Sequence, residues 1–240
     1  MAVIEPTPAA PPPPSGTGTA PGWFYDARRG IHYTKPVMRG WLHLLWFVAS
    51  LVISTVLLAQ ARGDARVVSI AVYAASVSAL FGVSALYHCG TWTDTWRRRL
   101  QRLDHAMIFF LIAGTATPTY VMATRGAVGV TGLIVLWTLT GTALIIHMAW
   151  MNAPERLVGG TFIALGWVAA LALPAVWVHS GAVPGLLMLA GCLLYLTGAI
   201  SYHFRWPDPY PSVFGYHEVF HVFVCAAAAC QYAAIAIYIT

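Results

Sequence analysis

Residues 157–204, LVGGTFIALGWVAALALPAVWVHSGAVPGLLMLAGCLLYLTGAISYHF, run for 48 residues without an Asp, Glu, Lys or Arg. A helix crosses the hydrocarbon core of a bilayer in about 20 residues, so this stretch is too long for one span. Pro174 and Pro184 bracket the segment WVHSGAVPG, which reads as a turn between two spans. That division decides the fold, because it sets the number of spans and the side of the membrane on which the last one ends. Outward from it, the charge-free stretches 40–61, 67–93, 105–124, 126–154 and 219–240 are each long enough for one span. The expectation is an all-α integral membrane bundle of seven helices.

Composition agrees. The 240 residues are 59% hydrophobic and 9% charged, where soluble domains carry roughly 25% charge. Residues 1–22 hold Pro6, Pro8, Pro11 to Pro14 and Pro21 among Ala, Gly, Ser and Thr. Such a segment buries too little apolar side chain to offset the entropy of ordering it. The expected organisation is a disordered Pro-rich cytoplasmic tail over 1–30 and a seven-span domain over 31–240. The tail lacks the basic and apolar regions of a signal peptide, so the first span is expected to direct insertion.

A net charge of +5 raises a nucleic-acid partner, but the placement of the basic residues points to membrane orientation and no nucleic acid is expected. Arg28, Arg29, Lys35 and Arg39 precede the first span; Arg97, Arg98, Arg99 and Arg102 fall between the second and third; Arg156 and Arg205 lie on that same side. The other side has Arg62, Arg66 and Arg125. Ten against three places the N-terminus in the cytoplasm and, after seven spans, the C-terminus outside. Cys89, Cys192, Cys225 and Cys230 show no CxxC spacing and read as buried small apolar residues.

Ionisable groups inside a membrane are costly and mark function. His43, His88, Asp104, His105, His147, His203, His217, Glu218 and His221 are the candidates. The second span runs inward and ends near Ser84 and His88; the third starts inside with Asp104 and His105; the seventh starts inside with His217 and His221. Residues far apart in sequence thus share one depth, toward the cytoplasmic leaflet. His217 and His221 are four apart, so their imidazoles lie on one helical face. Three neutral imidazoles with one open position make a catalytic type of zinc site.

His217-Glu218-Val219-Phe220-His221 also fits the H-E-x-x-H pattern of zinc peptidases. Those enzymes take a third ligand downstream, and residues 222–240 contain no His, Asp or Glu. The third ligand must lie upstream, and His88 is the best placed. Glu218 points about 100° around the helix from His217 and is not obliged to face a metal.

Ser84-Ala85-Leu86-Tyr87-His88, Arg102-Leu103-Asp104-His105 and Phe214-Gly215-Tyr216-His217-Glu218-Val219-Phe220-His221 together resemble the haemolysin III branch of the progestin and adipoQ receptor family. Adiponectin receptors and, more remotely, alkaline ceramidases share the S-x-x-x-H, Asp and H-x-x-x-H scheme. The resemblance covers about residue 30 to the C-terminus. It implies that His88, His217 and His221 bind Zn2+ near the cytoplasmic face, that Asp104 holds the water beside it, and that Ser84 is a hydrogen-bonding neighbour. Members of the family include receptors, lipid amidases and proteins named for haemolysis.

The functional expectation is a zinc-dependent hydrolase of a lipid amide or ester, with Asp104 as general base and Ser84 supporting the oxyanion, and with membrane lipids as its partners. A zinc-stabilised membrane sensor and a cytolytic pore are the alternatives. For Asp104, a place at the N-terminus of the third helix competes with the metal-linked role; for Ser84, a bond back to the Leu80 carbonyl competes. His105 and His203 stand in reserve, and His43, His147 and His179 are assigned to structure or loops. Gly82, Gly114, Gly141 and Gly198 are expected to permit close helix contacts.

Overall fold

The computed structural model describes residues 23–26, 31–124, 126–150 and 153–239. Strands β1 (Trp23–Asp26) and β2 (Ile31–Thr34) pair antiparallel, Trp23 opposite Thr34. β1 falls within the expected tail over 1–30, whose remaining residues lie outside the described ones. Helices α1 (Trp41–Gln60), α2 (Asp64–Cys89), α3 (Asp94–Ala123) and α4 (Ala127–Ala149) follow, then α5 (Glu155–Ala170), α6 (Leu173–Ser180), α7 (Ala182–Phe204) and α8 (Tyr216–Ile239). With α5 and α6 counted together over Arg156–Ser180, seven helical stretches among the described residues are long and apolar enough to cross a membrane.

The 157–204 stretch splits in two within WVHSGAVPG, as expected, and the turn narrows to a single residue. Trp177 to Ser180 continue as helix, and the reversal is made by Gly181 alone, at φ 91°. A side chain there would meet the left-handed penalty that glycine escapes. Pro174 instead sits in the first turn of α6 and breaks the span at Leu171 and Ala172. Proline has no N–H to continue the α5 ladder, yet is tolerated where a helix starts.

The third span also starts earlier than its charge-free stretch. α3 begins at Asp94, so Arg97, Arg98, Arg99 and Arg102 lie in its first turns and not in a loop. Arg97 Nη2 meets Asp94 Oδ1 at 3.6 Å, and the Arg99 guanidinium lies 5.3 Å from the Trp96 ring centre. Asp104 is therefore nearly three turns into α3, which removes the helix N-terminus as its explanation.

Helices α2, α3 and α8 are the most enclosed; α1, α4 and the α5–α6 span are the least buried. Leu57, Ile70, Tyr73, Val77, Phe81, Leu111, Val224, Ala228 and Ile235 make the central core. Close approach relies on small residues: a Cβ on Gly114 would lie 2.1 Å from Ser76 Oγ, and one on Gly198 would lie 2.9 Å from Phe223 Cβ. Gly82 is as tight against Phe47, whereas nothing comes within 4 Å of a Cβ on Gly141, against expectation. Cys89 is exposed and so departs from the buried reading that Cys225 fits.

Candidate metal centre

The three motifs meet at one end of the bundle, two of them at helix ends and Asp104 nearly three turns into α3. α2 delivers Ser84 and His88 in its last turns, α3 delivers Asp104, and the first turns of α8 deliver His217 and His221. The start of α8 is fixed by two acids. Glu218 Oε2 accepts the Gly215 N–H at 2.8 Å, the reach-back of a capping box, and Asp208 Oδ1 accepts the Tyr216 N–H at 2.9 Å. Free amides at a helix start are thereby satisfied, and the i, i+4 histidines are held on one face.

His88, His217 and His221 each offer a ring nitrogen, and these nitrogens all lie within 4.8 Å of one another. His217 Nε2 is 3.2 Å from His88 Nε2. Two nitrogens on a tetrahedral zinc, each at about 2.0–2.1 Å from it, are separated by about 3.3 Å. That spacing also suits an N–H···N bond, so the fit rests equally on His221. This ring is 2% exposed, and its Nδ1 is buried without a hydrogen-bond partner. Three imidazoles converging in an enclosed site leave more lone pairs than the surrounding protein satisfies, which suits a cation. The residues fit a metal ion with imidazole ligands, and the described residues supply three ligands rather than four.

Asp104 stands beside this cluster, its Oδ2 3.8 Å from His88 Nε2. Ser84 is a neighbour of that carboxylate. Ser84 Oγ also lies 2.8 Å from His43 Nδ1, so the partner found for the hydroxyl is His43 and not the Leu80 carbonyl. His43, assigned to structure by the sequence reading, is in the centre: its ring stacks on His221 with centroids 3.7 Å apart and planes 12° apart. The depth rule could have found it, because His43 is in the first turn of α1 at the same end of the bundle.

A strap of residues 35–40 closes that end. Arg39 Nε donates to Glu218 Oε1, so the acid of the H-E-x-x-H pattern has a partner other than the histidines. Val37 and Met38 N–H groups donate to the Ser212 and Val213 carbonyls, and Lys35 Nζ donates to Gly90 O at 3.2 Å. Burial lowers the Lys35 pKa, with Cys89 opposing the shift and Arg39 adding to it. At Gly40, φ is 88°, and a Cβ there would lie 2.7 Å from His88 Cβ. The strap therefore reaches the end of α2 at His88 and the start of α8 at Glu218.

His105 and His203, held in reserve, and His179, assigned to a loop, make their contacts elsewhere. His105 Nδ1 lies 2.7 Å from the Gln101 carbonyl of its own helix, with its ring 6.1 Å from that of His147. His179 is exposed and bonds within its helix, to Ala175 O, and His203 is exposed, its ring edge-on to Phe204.

The chain is 29% identical over 174 residues to Hemolysin-3 of Bacillus cereus, covering 72% of this chain and 76% of that protein. It is 28% identical over 173 residues to the Hemolysin-3 homolog of Bacillus subtilis (strain 168), covering 72% and 78%. The family described as Haemolysin-III related matches residues 31–232, which take in α1 to α7 and most of α8 with every motif of the centre. This multi-pass membrane chain therefore belongs to the haemolysin III branch of the progestin and adipoQ receptor family.

Proposed function

We propose that the protein is a zinc-dependent hydrolase of a membrane lipid amide or ester, acting in membrane lipid homeostasis. The observation that carries this reading is an acid beside a three-imidazole cluster, Asp104 Oδ2 3.8 Å from His88 Nε2, with no fourth protein ligand among the described residues. His88, His217 and His221 would hold the ion. Zinc in such a site supplies Lewis acidity, which acidifies water and polarises a carbonyl.

The remaining work belongs to side chains. Asp104 accepts a proton from water at its carboxylate and returns it to the departing amine or alkoxide. The Ser84 hydroxyl, when His43 donates to its oxygen, keeps its own proton, which it offers to the Asp104 carboxylate at rest and to the acyl oxygen once Asp104 has taken up the proton of water. The enclosing helices exclude bulk water, and the apolar flanks suit a substrate that arrives from the bilayer.

The test is release of fatty acid from long-chain N-acyl amides and acyl esters by the purified, zinc-loaded protein. Asp104→Asn should keep its zinc and its fold yet lose turnover by about 10²-fold or more. Metal-loaded wild type that cleaves neither class would contradict the hydrolase and favour the sensor reading, in which the ion serves to join α2 to α8. The name Hemolysin-3 carried by a relative suggests lysis, but the buried histidines and Glu218 gather at one end instead of lining a path through the bundle.

The centre is assigned to the cytoplasmic leaflet, with the N-terminus inside, on the ten-to-three asymmetry of basic residues. Tags at the two termini should be distinguishable in intact cells, the C-terminal one reached by an impermeant label and the N-terminal one protected. The reverse pattern would invert the topology.

A further inference from the structure

His43 is 3% exposed and lies against residues from two other helices. Its ring stacks on His221 with centroids 3.7 Å apart and meets Phe81 edge-on at 5.0 Å. Its Nδ1 is 2.8 Å from Ser84 Oγ, and its Nε2 is buried without a partner. Packing alone does not account for this residue, because a phenyl ring of similar size would fill the space without burying an unsatisfied nitrogen.

The hydrogen bond gives it a task. With the proton on Nδ1, His43 donates to Ser84 Oγ and leaves Nε2 as a bare acceptor, so no buried N–H is stranded. Ser84 then keeps its own hydrogen to donate, and Asp104 is its neighbour. The chain of contacts runs from α1 through α2 to α3 and ends 3.8 Å from the His88 nitrogen.

We infer that His43 is a positioning residue of the metal centre: it aims the Ser84 hydroxyl at Asp104 and fixes the plane of the His221 ring. The inference rests on the reading of the histidine cluster as a metal centre. It adds α1 to the elements that build the site, and it makes Ser84 an intermediary between two helices.

Groups that orient a ligand shell typically change metal affinity by about 10–100-fold when removed. His43→Phe keeps a stacked ring and discards the donor, Ser84→Ala discards the acceptor, and the double variant closes a thermodynamic cycle. Zinc affinity of the full-length protein in detergent, from chelator competition, is the main readout; the melting midpoint of the metal-free form is the second. Each single variant should weaken zinc binding by about tenfold, with the metal-free midpoint unchanged and the double variant no weaker than either single one.

Wild-type affinity in His43→Phe, losses that multiply in the double variant, or a loss that follows a fall in the metal-free midpoint would each overturn the inference. Wild-type protein that binds no zinc would overturn it together with the reading on which it rests. Tight zinc binding by wild type and variant alike would remove the role of His43 alone.

Discussion

Glu218 shows how one residue can carry two incompatible meanings. In a zinc peptidase pattern it would be a general base, but here it is fully buried, accepts the Gly215 N–H and pairs with Arg39. Removing one member of a buried pair strands the other charge and costs about 3–5 kcal/mol. Arg39→Ala should therefore lower stability by that amount in detergent unfolding while leaving the histidines in place. An effect below about 1 kcal/mol, typical of an exposed pair, would show that Glu218 does not depend on Arg39. The separation of Glu218 from the ligand face was legible in the sequence from the 100° step per residue. Its partner was not, since nothing in the sequence marks a residue 179 positions away as its neighbour. His43 was missed for a related reason: the same depth placed it with the cluster, but stacking and a bond to Ser84 depend on how α1 turns about its own axis.

At the scale of elements, the spans were legible because lipid demands about 20 apolar residues of each, and their ends were not. Absence of charge marked the third span from residue 105, yet α3 continues back to Asp94, since arginines can extend a helix beyond the apolar core. In the 157–204 stretch, proline signalled a break and glycine made the turn. The strap of 35–40 had no periodic signal at all. Its packing makes a sharp prediction: Gly40→Ala meets both a left-handed backbone and the His88 Cβ at 2.7 Å. The left-handed conformation alone costs about 1–2 kcal/mol, and a thermal midpoint close to wild type would mean that the strap yields freely.

For the whole molecule, the centre joins elements distant in sequence. His88 ends α2 and His217 begins α8, 129 residues later, and these two helices with α3 are the enclosed part of the bundle. Convergence of the motifs was predictable because alternating spans fix which helix ends share a face. That the ring nitrogens come within 4.8 Å was not, because it depends on helix rotation and on the acids that start α8. The proposed chemistry requires those three rings to hold a metal together. Metal content of the purified protein, by mass spectrometry, tests this directly against the His217→Ala/His221→Ala variant. About one zinc per chain in wild type and none in the variant is the predicted result, from a three-imidazole site; folded wild type without metal would contradict it.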